Sequence, residues 1–150
     1  MTTTVKKILE DKGHDFFSVS PEDTVFHGLQ IMADKNVGSL MVIDKDGKLM
    51  GMFSERDYAR KGILLGKSSK ESKVEDYMST ELYTVKPEAT TIDCMALMTN
   101  KYIRHIPVLD HNKIIGIVSI GDIVNTIIHE QKITIEDLER YITSSGYGHQ

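Results

Sequence analysis

The sequence predicts a mixed α+β fold made of two pseudo-symmetric halves, each running strand, helix, strand, strand, helix. Three observations predict it. The chain repeats itself: offset by 66 positions, Val19, Pro21, Glu22, Thr24, Met32, Lys35, Val42 and Asp44 meet Val85, Pro87, Glu88, Thr90, Met98, Lys101, Val108 and Asp110. Once Gly47 is skipped, the match continues at an offset of 65, where Lys48, Gly51, Ser54 and Asp57 meet Lys113, Gly116, Ser119 and Asp122. Composition alone gives roughly two or three such identities over this length, so the repeat is real. Within each copy the apolar spacing switches from a helical period to short continuous runs. Finally, each copy closes on the same polar corner, Gly51-Met52-Phe53-Ser54-Glu55-Arg56-Asp57 in the first and Gly116-Ile117-Val118-Ser119-Ile120-Gly121-Asp122 in the second.

The elements follow in order. Val5 to Leu9 parallels Val74 to Met78 as a preface to each unit. Pro21 and Pro87 start turns, and Asp23-Thr24 and Ala89-Thr90 open helices with apolar faces at Val25, Leu29, Ile31 and Met32, or Ile92, Met95, Ala96, Leu97 and Met98. Ser39 to Ile43 and Ile106 to Leu109 read as buried strands. Turns at 44–47 and 110–112 return the chain into Leu49 to Phe53 and Ile114 to Val118. A second helix begins at Ser54 or Ser119. Residues 59 to 73, rich in glycine, serine and basic residues, read as the connection. Thr134 to Asp137 reads as the cap of a last amphipathic helix carrying Leu138 and Ile142, and 144–150 as a frayed tail. The units are bounded at 1–62 and 74–130, joined by 63–73 and followed by 131–150.

With 150 residues, 40% of them hydrophobic, the chain can bury a real core, although neither half should be stable alone. A formal charge of -4 argues against a general nucleic-acid surface, so any anion must be bound locally. The lone Cys94 excludes an internal disulfide and reads as a small buried apolar residue of a reducing compartment. No apolar run reaches the roughly 20 residues that span a bilayer, and no secretory signal is seen, so the expectation is a cytoplasmic protein away from the membrane. G-x-G-x-x-G, P-loop, H-E-x-x-H and C-x-x-C motifs are all missing. The six histidines lack metal-ligand spacing, and Ser54 and Ser119 lack a nucleophile elbow. The sequence contains no recognisable catalytic site.

The Ser-x-x-Asp corner has a purely structural explanation as a helix cap. The same geometry also suits a nucleotide: a helix N-terminus offers amides and a positive dipole end to phosphate, and a carboxylate accepts from both ribose hydroxyls. The two copies differ, because Arg56 has Gly121 as its counterpart, and Arg104-His105 stands where Val37, Gly38 and Ser39 stand in the first unit. Arginine supplies a fixed fork for phosphate and histidine a pH-dependent donor.

Over about residues 1 to 130 this pattern resembles the tandem cystathionine-β-synthase (CBS) domain pair, often called a Bateman module, in its small stand-alone form. The resemblance implies repeats packed sheet to sheet, a disc-like homodimer and a regulatory rather than catalytic role. It also implies an adenine nucleotide such as NAD(H), AMP or ATP in the cleft, with occupancy relayed to an unidentified protein target. Its nucleotide signature falls on Ser54 and Asp57, and on Ser119 and Asp122. The ribose goes to the aspartates and the phosphates go to the serines, Arg56, Arg104 and His105. The adenine would be bounded by Val19 or Val85 with Val37, Gly38 and Ser39, or with Ile103 and the basic pair. Arg60, Lys61 and Lys67 are candidates for a further phosphate. The alternative from another class is a structural or interaction homodimer whose cleft is vestigial.

Overall fold

The computed structural model describes residues 2–66 and 68–145. Helix α1 (Val5–Lys12) leads into the first unit, which comprises β1 (Ser18–Val19), α2 (Val25–Lys35), β2 (Ser39–Ile43), β3 (Leu49–Ser54) and α3 (Glu55–Leu65). A short 3-10 turn (Val74–Asp76) precedes the second unit, with α4 (Thr91–Lys101), β4 (His105–Asp110), β5 (Lys113–Ser119) and α5 (Ile120–Ser145). β1 runs parallel to β2, which pairs antiparallel with β3. The second unit keeps the β4–β5 hairpin, but its leading strand shrinks to one parallel bridge, Val85 to Val108, the counterpart of Val19 to Val42. Both hairpins carry a register shift at the same place, after Val42 and after Val108.

Each of the two long N-terminal helices of the units is capped by the threonine the repeat duplicates. Thr24 accepts from His27 N and Thr90 from Asp93 N, the latter within a reciprocal capping box. Each ends in a left-handed residue, Asn36 and Tyr102, both at φ 55°, followed by a bond from the next amide to Met32 O or Met98 O. The chain therefore enters β2 and β4 at matching angles. Val25 and Met32 of α2 meet Val19, Leu40, Val42 and Phe53 in one core; Cys94 and Met98 of α4 meet Ile106, Val108, Val118 and Ile123 in another. Met41 and Pro107 point to the opposite faces of their strands and are also buried, so both sheets are covered on both sides.

The prefaces are exchanged between the units. Val5, Ile8 and Leu9 of α1 are buried in the core of the second unit, whereas Val74 and Tyr77 are buried in the core of the first. The hydrogen bonds repeat with the same symmetry. Val5 N and Lys6 N donate to Ala89 O and Pro87 O, while Val74 N and Glu75 N donate to Asp23 O and Pro21 O. In turn Thr91 N donates to Thr3 O, and Val25 N to Ser72 O. The duplicated glycines are the notches that receive these prefaces: a Cβ at Gly116 would lie 2.8 Å from Leu9 Cδ2, and one at Gly51 would lie 2.6 Å from Ser79 O and 3.0 Å from Met78 Sδ. Each preface thus serves the other unit's core, which is why neither unit holds a complete core by itself.

Two expectations need correction. Residues 59 to 65 are not connection but the continuation of α3, which closes on Gly66 in the left-handed region (φ 67°). Gly62 lies inside this helix because the Tyr58 ring covers it, at 2.7 Å from where a Cβ would stand. The connecting residues are also partly structural, since Ser69 O and Ser72 O accept from Phe26 N and Val25 N at the start of α2. The C-terminal helix is present, but it does not start at Thr134. No Gly or Pro interrupts the chain between Gly121 and Gly146, so α5 runs unbroken for 26 residues and includes Ser144 and Ser145. Lys67 and the last five tail residues, 146–150, lie outside the described residues.

Candidate functional site

Each hairpin delivers its serine to a corner where the strand ends, the helix begins and the entrance of the neighbouring strand lies alongside. Ser39 faces Ser54 in register, and His105 faces Ser119. Glu55 N donates to Gly38 O at 3.2 Å, and Ile120 N donates to Arg104 O at 2.8 Å. Ser54 Oγ accepts from Asp57 N, and Ser119 Oγ from Asp122 N, both at 3.1 Å. Two of the first three helix amides are thereby used by the protein itself at each corner. That leaves less of the helix terminus for a phosphate than the sequence implied.

The carboxylates differ sharply. Asp122 Oδ2 accepts from Ser119 N at 2.8 Å, completing a capping box, and from Lys12 Nζ at 2.7 Å. Lys12 Nζ also donates to Ile117 O at 2.8 Å, and His14 Nδ1 lies 2.8 Å from Ile115 O, a bond that the Nδ1-protonated tautomer donates. In the first unit Met52, the counterpart of Ile117, is bound instead by the backbone of Ser79 in both directions. Among the described residues, nothing donates to the Asp57 carboxylate. Burial pushes the Asp122 pKa up, but the bonds from Lys12 and Ser119 outweigh it and leave the carboxyl below its ordinary value. His105 is held below its ordinary value chiefly by burial, with Lys12 and Arg104 adding to the effect and Asp122 opposing it.

The corners bring together Gly38, Ser39, Ser54 and Asp57 in one unit, and Arg104, His105, Ser119 and Asp122 in the other. Arg56, Arg60 and Lys61 are exposed on α3, and Arg104 is exposed beside β4. A Cβ at Gly38 would meet no atom within 4 Å, so its neighbourhood is open. Ser39 Oγ is buried with no hydrogen-bond partner. Val19 lies in the core of the first unit, with Val37 packed against it; Val85 and Ile103 pack against the other core. Val85 also lines an open depression of about 650 Å³ with Thr84, Lys86, Asp110 and His111. That depression lies at the turn end of the β4–β5 hairpin, opposite the end that carries His105 and Ser119, and none of the corner residues lines it. Lys12 was missed by sequence reasoning, because no local spacing signals a contact 110 residues away. Cys94 is fully buried and its pKa is pushed up to about 11, chiefly by burial. Among the described residues no His, Cys, Asp and Glu cluster could hold a metal, and no helix is long and apolar enough to cross a membrane.

The comparisons with known proteins agree with this architecture. The CBS domain model matches twice, at residues 5–62 and 74–129. The mitochondrial CBS domain-containing protein CBSX3 of Arabidopsis thaliana is 41% identical over 97% of this chain and 74% of its own. Among solved structures, a putative signal-transduction protein with CBS domains from Burkholderia ambifaria is 44% identical with a TM-score of 0.81, covering 86% of this chain and 96% of that one. The CBS domain pair of protein MJ0100, in complex with 5′-methylthioadenosine and S-adenosyl-L-methionine, shares the fold at a TM-score of 0.74 and 23% identity, over 87% of this chain and 99% of that one.

Proposed function

The chain belongs to the CBS domain family, and from that premise we propose that it is a regulatory module without catalytic activity that senses an adenine nucleotide between its repeats. The observation that carries this reading is the duplicated corner: a capping serine, an aspartate three residues on, and a strand entrance that is open at Gly38 or basic at Arg104-His105. The first corner combines an uncommitted Asp57 carboxylate for the ribose, the unpaired Ser39 hydroxyl and the exposed Arg56 for phosphate. The second uses Asp122, Ser119, Arg104 and His105. The adenosyl ligands of the MJ0100 pair support this chemical class. NAD(H), AMP and ATP are the leading candidates.

Occupancy acts on a protein target only as far as the ligand prefers one conformation of the pair over another. A homodimer is the expected assembly, because Ile92 of α4 and Ile120, Val124 and Ile128 of α5 remain 39–65% exposed. We place the module in the cytoplasm; the mitochondrial name of the Arabidopsis relative makes that organelle the alternative, which cell fractionation decides.

The test is a thermal-shift panel of the purified chain with AMP, ADP, ATP, NAD, NADH and S-adenosylmethionine. A ligand at about a hundred times its dissociation constant adds roughly 2.7 kcal/mol of stability. A selective shift that is reduced by Asp57→Ala or Asp122→Ala supports the sensor. One observation favours a second reading, an interaction homodimer with a vestigial cleft: Oδ2 of the Asp122 carboxylate already accepts from Lys12 and Ser119 within the chain. No shift with any ligand, in protein free of carried-over nucleotide, selects that reading.

A further inference from the structure

The two corners descend from one motif, yet among the described residues only Asp122 carries a cation from its own chain, Lys12. We propose that Lys12 is an internal competitor for the ribose at the second corner, so that a nucleotide enters there only by taking Asp122 from Lys12, whereas the first corner is open. This inference rests on the nucleotide-sensor reading and adds an order of filling to it.

The geometry argues for competition. Lys12 Nζ and Ser119 N both donate to the same oxygen, Asp122 Oδ2, at 2.7 and 2.8 Å. A ribose diol that spans the carboxylate, one hydroxyl to each oxygen, must enter at Oδ2, whose acceptor sites Lys12 and Ser119 already fill. Lys12 is the last residue of α1, whose Val5 and Leu9 are fully buried in the second unit's core, so the ammonium is delivered by a fixed element. The pair is nevertheless displaceable: the side chains remain 32% and 25% exposed, and a displaced ammonium reaches water without being stranded. Among the described residues nothing equivalent reaches Asp57, because the first unit closes the matching strand edge with the Ser79 backbone, which has no side-chain charge to lend. Displacing Lys12 also frees the bond to Ile117 O, which ties the end of α1 to β5. Filling the second corner would therefore loosen residues 12–14, whereas filling the first would not.

The experiment is calorimetric titration of the full chain with AMP, in an Asp57→Ala background that leaves only the second corner. Lys12→Met should strengthen AMP binding by about tenfold, the scale of a partly exposed charged hydrogen bond. The gain should be smaller for 2′-deoxyadenosine monophosphate, which lacks one of the competing hydroxyls. Lys12→Arg, which keeps the cation, should retain the weak parental affinity. Unchanged or weaker AMP binding in Lys12→Met overturns the competition while leaving the sensor reading intact. AMP, NAD and ATP all failing to bind the unmodified chain overturns both. Should Lys12→Met melt well below the parent, the unsubstituted protein supplies the test: hydrogen exchange at residues 12–14 must accelerate once AMP fills the second corner, and unaltered exchange at saturation overturns the proposal.

Discussion

If the duplicated glycines are docking notches for the exchanged prefaces, then Gly116 and Leu9 must be energetically coupled although they lie more than a hundred residues apart. A Cβ at Gly116 would stand 2.8 Å from Leu9 Cδ2 and 3.1 Å from Cδ1, and Leu9 is fully buried among Val5, Ile8, Cys94 and Val118. It has little room to turn away, so Gly116→Ala should cost about 1–3 kcal/mol as overpacking. Leu9→Ala alone should cost about 2–5 kcal/mol through lost burial and a cavity. In the double variant the new methyl enters the space that the leucine leaves, and its clash is gone. The pair should therefore cost less than the sum by about 1–2 kcal/mol. Urea denaturation of the four proteins measures this; in a chain of this size each kcal/mol also moves Tm by about 2–4 °C. Additivity within about 0.5 kcal/mol would refute the docking of α1 against β5. The same logic ranks the repeats. At Gly51 the nearest atom is the Ser79 carbonyl oxygen at 2.6 Å, which already accepts from Met52 N. Backbone cannot step aside as a side chain can, so Gly51→Ala should be the more damaging substitution.

Three further outcomes follow from the corners and the core. Ser54→Ala and Ser119→Ala should each cost about 1 kcal/mol, because each removes the hydroxyl that accepts from the aspartate amide at 3.1 Å; equilibrium denaturation showing no loss in either variant would contradict the caps. The His105 ring should titrate below its ordinary value by NMR, and Lys12→Met should raise it. Because the folded value is lowered, His105 supports stability above its unfolded pKa, and this support is lost as pH falls through the folded value; Asp122, also lowered, follows the same sign in its own, more acidic window. Cys94, buried and raised to about 11, should be inert to a thiol reagent near neutral pH in the native protein and react fully in urea; rapid native labelling would place it at the surface.

The repeat was legible because duplication leaves its signature in identities. Pairs such as Thr24 and Thr90, or Ser54 and Ser119, occupy equivalent caps in the structure, and Val42 and Val108 face equivalent glycines. The unbroken α5 was harder to read, since Thr134 and Asp137 imitate a cap and only the absence of a breaker argues otherwise. The exchange of prefaces could not be read at all. Two similar segments and two similar notches are compatible with either pairing, and nothing local to Leu9 distinguishes Gly51 from Gly116. Three-dimensional closure decides it, and with that decision comes Lys12, carried to Asp122 at the end of α1. A single stretch of sequence therefore holds two separate requirements. In Gly-x-x-Ser-x-x-Asp the glycine makes room for a segment of the other unit, while the serine and aspartate build the corner. Where the incoming segment brings the Met78 side chain and the Ser79 backbone but no charge, nothing among the described residues engages the aspartate; where it brings a lysine, the carboxylate is engaged from within. The same Ser-x-x-Asp frame can thus be left open or engaged from within, because that difference is delivered by the element docked beside it.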